Sequence, residues 1–284
     1  MQTDIDRLQN LIASALAEDL GDGDHSTLCC IPSGAKGKAV LKIKQDGVLA
    51  GMDVAKTIFE YQDPGTVFTY FKNDGDLMAY GEQAFSIEAP IASILQKERL
   101  VLNTMQRMSG IATLTRTYVD KLKGYKTRIL DTRKTTPNFR LLEKEAVRIG
   151  GGINHRFGLY DMIMLKDNHI DYCGGIEKAI EKAWEYVQTR RPDLQIEVET
   201  RSLDDVNKAV KSGKVNRIML DNFSPGMISE ALEMIEGRYE TEASGGINLD
   251  NIVSYAETGV DYISVGALIH QARSLDLSLK AVIL

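Results

Sequence analysis

Leu8, Leu11, Ile12, Ala15 and Leu16 fall on one face of DIDRLQNLIASALAEDL, residues 4–20, and this spacing predicts an amphipathic opening helix. GDGDHST follows as a turn-rich acidic loop. Between residues 37 and 89 the period shortens to two, and KAVLKIK, GVLAG, TVFTYFK and QAFSIEA read as short strands parted by Gly, Asp and Pro. MDVAKTIFEYQ is a helix between the second and third. Together they predict a mixed α+β unit whose sheet is at least partly antiparallel. Pro90 then starts a long helix, PIASILQKERLVLNTMQRM, which runs into SGIATLTRTYVDKLKG with a kink or break expected at Ser109-Gly110.

Beyond residue 126 the pattern becomes rhythmic. The strand-like runs TRILD, MIMLK, QIEVE, RIMLD, YETEA and YISVG each meet a polar or glycine residue at the carboxyl end, and helical stretches separate most of them. With Asp131, Lys166, Glu199, Asp221, Ala243 and Val265 as markers the spacings are 35, 33, 22, 22 and 22 residues, the last three suiting a minimal β/α unit. Such alternation implies a parallel sheet, curled toward a barrel or laid out as an open doubly wound sheet, and the barrel is the favoured reading. In either case function belongs at the strands' carboxyl ends. SLDLSLKAVIL alternates Leu275, Leu277 and Leu279 with polar residues and suits a half-buried strand returning to the first domain's sheet. The expected division is residues 1–110 for an amino-terminal α/β domain, rejoined by 274–284, and 111–273 for the barrel.

Composition narrows the function. A 284-residue chain with 43% hydrophobic and 26% charged residues is ordinary globular usage. No apolar run reaches the ~20 residues of a membrane span, and the start lacks the order of a signal peptide, so a soluble cytoplasmic protein is expected. Three cysteines, two of them adjacent, give no disulfide framework, and four histidines without CxxC or HExxH make a zinc site a poor reading. A net charge of −6 argues against nucleic-acid binding.

Against that acidic background, residues 131–166 carry seven cations (Arg133, Lys134, Arg140, Lys144, Arg148, Arg156 and Lys166) against four acids. Guanidinium groups grip carboxylates bidentately and lysine supplies a movable point charge, so a small polyanion is the expected tenant. The strand ends add Glu199 and Asp221, hard carboxylates that suit Mg²⁺ beside a pyrophosphate. Glu197 shares the face of Glu199 at period two. ASGGIN and SVGALIH supply glycine turns of the kind that admit a phosphate to backbone N–H groups. Taken one at a time these features are ordinary: an Arg-Lys pair is mostly a solvated surface feature, Gly-Gly mostly a turn, and the Met162/Met164 stripe core packing. Six successive strand ends carrying such groups are not.

EDLGDGDHST, NTMQRMSGIAT, the forty residues DTRKTTPNFRLLEKEAVRIGGGINHRFGLYDMIMLKDNHI, and then EVET, LDNFSP, EASGGIN and VGALIH together resemble the quinolinate phosphoribosyltransferases, the decarboxylating nicotinate-nucleotide pyrophosphorylases of NAD biosynthesis. The resemblance spans nearly the whole chain. It implies an amino-terminal α/β sandwich domain and an incomplete parallel α/β barrel of about six strands, in a homodimer or a hexamer with shared active sites. It further implies that Arg133, Lys134, His155, Arg156 and Lys166 surround quinolinate, with Arg107 arriving from the neighbouring subunit. Lys134, Lys166, Glu199 and Asp221 would be the catalytic groups. Glu199 and Asp221 would also face the ribose hydroxyls and Mg²⁺, directly or indirectly, and Ser244, Gly245, Gly246, Gly266 and His270 would hold the phosphate of phosphoribosyl pyrophosphate (PRPP). No organic cofactor is expected. The competing readings are a related phosphoribosyltransferase of a molybdenum-transport locus, a transferase acting on nicotinate or another base, a Schiff-base aldolase using Lys166, and a non-catalytic dicarboxylate binder.

Overall fold

The structure, a computed structural model, describes residues 4–282. It divides into two compact units, one running to Arg116 with Thr135–Gly151 and the chain from Leu268 onward, the other comprising Thr117–Lys134 and Gly152–Ala267. The expected boundary at residue 110 falls inside a helix.

The first unit opens with α1 (Asp4–Leu20) and α2 (His25–Cys30), followed by β1 (Lys36–Ile43), β2 (Gly47–Val48), α3 (Met52–Glu60), β3 (Val67–Tyr70), β4 (Leu77–Met78), β5 (Gln83–Pro90) and α4 (Ile91–Lys121). The acidic loop expected at residues 21–27 thus ends in a short helix. Asp24 caps it, its carboxylate accepting from the Thr27 N–H at 3.0 Å and holding its own pKa down through the Thr27 hydroxyl and amide.

The sheet of this unit is ordered β12-β1-β5-β3, where β12 is Leu277–Val282, and its pairs are antiparallel. Leu41 pairs with Leu279 and Ile43 with Leu277, so the chain's last described segment closes the first sheet. Phe85 on β5 stacks on Phe68 at 4.4 Å and meets Phe59 of α3 edge-on at 6.1 Å, forming an aromatic centre for the core.

The expected break at Ser109-Gly110 does not occur, because α4 runs unbroken for 31 residues. The two small residues serve close packing instead. The Ser109 hydroxyl accepts from the Ala50 N–H and donates to the Ala50 carbonyl, and a Cβ on Gly110 would lie 2.0 Å from the Arg273 carbonyl oxygen. A Ser-Gly pair reads as a break only when nothing fills the space beside it. The loop after the next strand also holds a helix that periodicity left unassigned, α5 (Arg140–Ile149), which belongs to the first unit.

The second unit carries β6 (Arg128–Leu130), β7 (Ile163–Leu165), α6 (Asp167–Cys173), α7 (Ile176–Arg190), β8 (Ile196–Thr200), α8 (Leu203–Ser212), β9 (Arg217–Asp221), α9 (Pro225–Ile235), β10 (Glu240–Ser244), α10 (Ile252–Ala256) and β11 (Tyr262–Ser264), with α11 (Ala267–His270) after it. Its six-stranded sheet is parallel and ordered β6-β11-β10-β9-β8-β7. A doubly wound sheet would reverse its direction of growth partway; here the strands advance in chain order and the first sits beside the last, which is the order of a barrel. β6 and β7 form the two edges, so the barrel is incomplete. Helices α8 and α9 are capped by Ser202 and Ser224, whose hydroxyls accept from Asp205 and Met227. Among the described residues no helix is long and apolar enough to cross a membrane.

Candidate active site

The strands of the second unit end together, and the chemistry gathers at those ends. After β6 comes Asp131, fully buried, whose carboxylate accepts the His155 N–H at 2.8 Å while its own N–H donates to the Ile153 carbonyl at 3.1 Å. Two residues on stand Arg133, half-buried, and Lys134, exposed, with the Lys134 amide turned back to the Thr132 hydroxyl at 3.2 Å. Asp131 thus anchors two loops at once.

His155 and Arg156 are both buried, each 8% exposed. Burial, and after it the charge of Arg133, lowers the Arg156 pKa. Two guanidinium groups are therefore close enough to oppose each other, an arrangement that an anion relieves. Arg156 Nη1 also donates to the Met162 carbonyl at 3.2 Å, which fixes the direction of its fork.

Lys166 follows β7 and directly precedes α6; its backbone N–H donates to His169 Nδ1 at 3.1 Å, and it is exposed. Glu199 lies near the end of β8 and accepts from the Asp167 N–H. Its pKa is raised by partial burial first and then by the charge of Asp221, while Lys166 pulls the other way. Lys166, Glu199 and Asp221 are thereby brought into one electrostatic neighbourhood.

Asp221 closes β9 in register with Ser244 of β10, and the next residue, Asn222, donates its N–H to the Ser244 carbonyl at 2.8 Å and its side-chain amide to Asp221 at 2.7 Å. Asn222 itself adopts a left-handed backbone, φ 57°. Gly245 has φ 90°, and a side chain there would be strained, since a Cβ would sit 2.2 Å from Asn222 Oδ1. Gly246 follows at φ 65° with open space before it. The next helix, α10, begins only at Ile252. Gly266 directly precedes α11, and His270, exposed, ends that helix within the first unit. Arg107 also belongs to the first unit, where Nε and Nη2 hold Glu143 at 3.0 and 2.8 Å.

Sequence reasoning missed two charged residues. Glu242 is fully buried and Arg217 is 9% exposed; Arg217 opens RIMLD and Glu242 sits in the polar strand YETEA, so neither stood out in the sequence. His155 Nε2 lies 3.0 Å from Glu197 Oε2 and 3.2 Å from Glu242 Oε2, and Arg217 Nη1 lies 3.3 Å from the same Glu242 oxygen and 4.0 Å from that of Glu197. By residue type His155, Glu197 and Glu242 could hold a metal ion, their ligand atoms lying within 4.8 Å of one another. Arg217 already supplies a positive charge there.

Burial alone would lower the His155 pKa, and the two carboxylates push it upward. One contact opposes that rise: the Arg156 N–H donates into Nδ1 at 2.7 Å, where a second proton would face it head-on. Glu197 is the other acceptor for a proton, its pKa pushed up to about 7 by burial and by the charge of Glu242. Burial would raise Glu242 too, but its bond from His155 and the nearby Arg217 charge keep it below the ordinary carboxylate value.

Comparison with known proteins places this arrangement among relatives. The description "Quinolinate phosphoribosyl transferase, N-terminal domain" matches residues 24–109, and the corresponding C-terminal domain matches residues 111–280. A protein of Oryza sativa subsp. japonica described as nicotinate-nucleotide pyrophosphorylase (carboxylating), chloroplastic, is 44% identical over 96% of this chain and 77% of its own. A probable nicotinate-nucleotide pyrophosphorylase (carboxylating) of Bacillus subtilis is 41% identical over 96% of this chain and 93% of its own. The crystal structure of NadC from Streptococcus pyogenes superposes with a TM-score of 0.91 at 41% identity, covering 98% of this chain and 97% of that one.

Proposed function

Because the chain belongs to the quinolinate phosphoribosyltransferase family, we propose that it transfers the phosphoribosyl group of PRPP to the ring nitrogen of quinolinate with decarboxylation, giving nicotinate mononucleotide, pyrophosphate and CO₂. The observation that carries this reading is the pairing, on one sheet edge, of a cationic patch with a carboxylate pair. Arg156 is held beside the charge of Arg133, and Glu199 is held beside the charge of Asp221. The first favours a dianion such as quinolinate. The second favours a cation carried by a pyrophosphate.

The chemistry asks for orientation and electrostatics more than for a covalent partner. The pyridine nitrogen forms a bond to the anomeric carbon as the bond to pyrophosphate breaks, through a transition state with oxocarbenium character. Once quaternised, the ring nitrogen stabilises the electron pair that stays on C2 when the 2-carboxylate leaves as CO₂, and C2 then takes up a proton. Cations gripping the 2-carboxylate would retain it, so Arg133 and Arg156 serve chiefly the 3-carboxylate. Lys134 and Lys166, the exposed and mobile pair, serve pyrophosphate and phosphate as much as the pyridine acid. Ser244, Gly245, Gly246 and Gly266 receive the 5′-phosphate.

Mg²⁺ suits Glu199 and Asp221. They are hard oxygen donors whose mutual repulsion a cation relieves, and such an ion takes one or two carboxylates plus substrate phosphates. When bound it neutralises the departing pyrophosphate. The same reading has Arg107 reach quinolinate from a second copy in a homodimer or hexamer, with His155 part of the quinolinate pocket, in a cytoplasmic enzyme.

Purified protein incubated with quinolinate, PRPP and Mg²⁺ tests the reading. Equal amounts of CO₂ and nicotinate mononucleotide are expected. Turnover of nicotinate in place of quinolinate, or quinolinate binding with no product, overturns it, the second in favour of a dicarboxylate binder.

A further inference from the structure

The loop between β6 and β7 bears His155 and Arg156 after three consecutive glycines, Gly150 to Gly152, and Ile153, whose backbone is paired to Ile129 and Asp131. We propose that His155 is a positioning residue: its ring is seated by Glu197 and Glu242 at Nε2, receives the Arg156 backbone N–H at Nδ1, and thereby fixes the Arg156 guanidinium at the anion site. Only the identity of the anion rests on the phosphoribosyl-transfer reading. The geometry stands by itself.

Three contacts pin the loop on successive groups. The His155 N–H goes to Asp131 at 2.8 Å, the Arg156 N–H to His155 Nδ1 at 2.7 Å, and the Arg156 fork to the Met162 carbonyl at 3.2 Å. Both ring nitrogens of His155 face protein groups, and its side chain is 5% exposed, so its part in the quinolinate pocket is played through Arg156.

The carboxylates have a definite task. A neutral imidazole offers one donor and one acceptor, so Nδ1 can accept only if the proton resides on Nε2, and an acid placed at Nε2 selects that tautomer. Glu197 and Glu242 are fully buried on β8 and β10, and Arg217 on β9 steadies them, donating to Glu242 at 3.3 Å and to Glu240 at 2.8 Å. Three neighbouring strands therefore hold one imidazole, and rigid strands place a site more accurately than a loop does. Charges this deep in a barrel are costly, and a core of branched apolar residues is the usual filling. A positioning task explains their presence.

Histidine ring nitrogen-15 NMR on the full-length protein near neutral pH tests the tautomer without any substrate. The His155 signals are expected to show a bare, accepting Nδ1 and a protonated Nε2, with the Arg156 amide proton at low field. A proton on Nδ1 overturns the proposal. Two variants separate the ring's ends: His155→Asn keeps an acceptor near the place of Nδ1, and His155→Gln keeps a group reaching toward Glu197 and Glu242. Measured calorimetrically, His155→Asn is expected to bind quinolinate about tenfold more tightly than His155→Gln, the scale of one hydrogen bond. PRPP affinity should change equally in both.

Equal quinolinate affinities in the two variants overturn the proposal, whether both match the wild type, as for a structural histidine, or both fall alike, as for direct contact. Wild-type protein that binds quinolinate without turning it over defeats the functional reading and leaves the affinity ratio to decide this one. If it binds no quinolinate, the spectrum and loss of the low-field Arg156 amide in His155→Gln decide.

Discussion

Arg107 holds Glu143 by two donors, Nε at 3.0 Å and Nη2 at 2.8 Å to one carboxylate oxygen, and Glu143 is fully buried. The other Glu143 oxygen accepts the Thr136 N–H at 2.8 Å, while Arg107 also donates to the carbonyls of Ala272 and Ile269, both at 2.8 Å. One guanidinium thus ties α4, α5 and the carboxyl-terminal segment into the first unit. Removing it leaves a buried charge, and Arg107→Ala is expected to lower unfolding free energy by ~3–5 kcal/mol, read from urea midpoints. Arg107→Lys should also destabilise, since an ammonium does not reproduce the fork.

If Arg107 completes a neighbouring subunit's site, mixing helps. Co-refolded Arg107→Lys and Lys166→Ala chains should regain activity in about a quarter of the sites of a random dimer population, although each variant alone is impaired. Activity equal to the average of the two separate variants would exclude shared sites.

Lys134 and Lys166 are exposed, so their replacement should spare the fold. Each alanine variant is expected to lose about 10- to 150-fold in kcat/KM, the equivalent of one charge-assisted hydrogen bond of ~1.5–3 kcal/mol. The loss should fall more on PRPP than on quinolinate. Intact catalysis in Lys134→Ala would remove that residue from the site.

Glu199 has its pKa raised by burial and by Asp221. It therefore takes up a proton at higher pH than an ordinary carboxyl, and Mg²⁺-dependent PRPP affinity should begin to fall at correspondingly higher pH on acidification. Glu199→Gln should abolish that acid limb along with most of the Mg²⁺ dependence. An unchanged acid limb in the variant would assign the pH effect elsewhere.

Lys97, 5% exposed, donates to the Phe59 and Tyr61 carbonyls at 3.0 and 2.6 Å and to Asp63 at 2.7 Å. Burial opposes ionisation of Asp63, but its bonds from Lys97 and Ser93 prevail and set its pKa below 3.8. A depressed carboxyl pKa contributes stability that is present above the unfolded value and lost as pH falls through the folded one. Urea midpoints of wild type and Asp63→Asn should thus differ at pH above about 4 and converge in stronger acid. A gap that persists there would mean the asparagine acts by packing.

Gly245→Ala sets a methyl 2.2 Å from Asn222 Oδ1 on a backbone with φ 90°. A cost of ~1–3 kcal/mol in stability is expected, with a rise in the KM for PRPP. Gly246→Ala meets no atom within 4 Å, so its penalty is confined to the backbone and should be smaller.

Periodicity determined the opening helix, a first sheet that is at least partly antiparallel and six later strands, because burial of one face imposes a period of two or 3.6 wherever it happens, and the alternation of those strands with helices made their sheet parallel. It also placed Lys166, Glu199, Asp221 and Ser244 at strand ends, since a buried strand is apolar until it emerges. Tertiary structure decided what local pattern does not encode. Whether Ser109-Gly110 bends α4 or admits the Arg273 backbone depends on what lies beside it, and α5 became visible only once its face had a unit to pack on. The barrel order, likewise, is a matter of which strand lies beside β6. Above all, Glu242 and Arg217 look like ordinary solvated strand charges when read along the chain. They acquire a meaning only when the strands bring them to one imidazole, because a charge survives burial only beside its counter-charge, and that partner is distant in sequence.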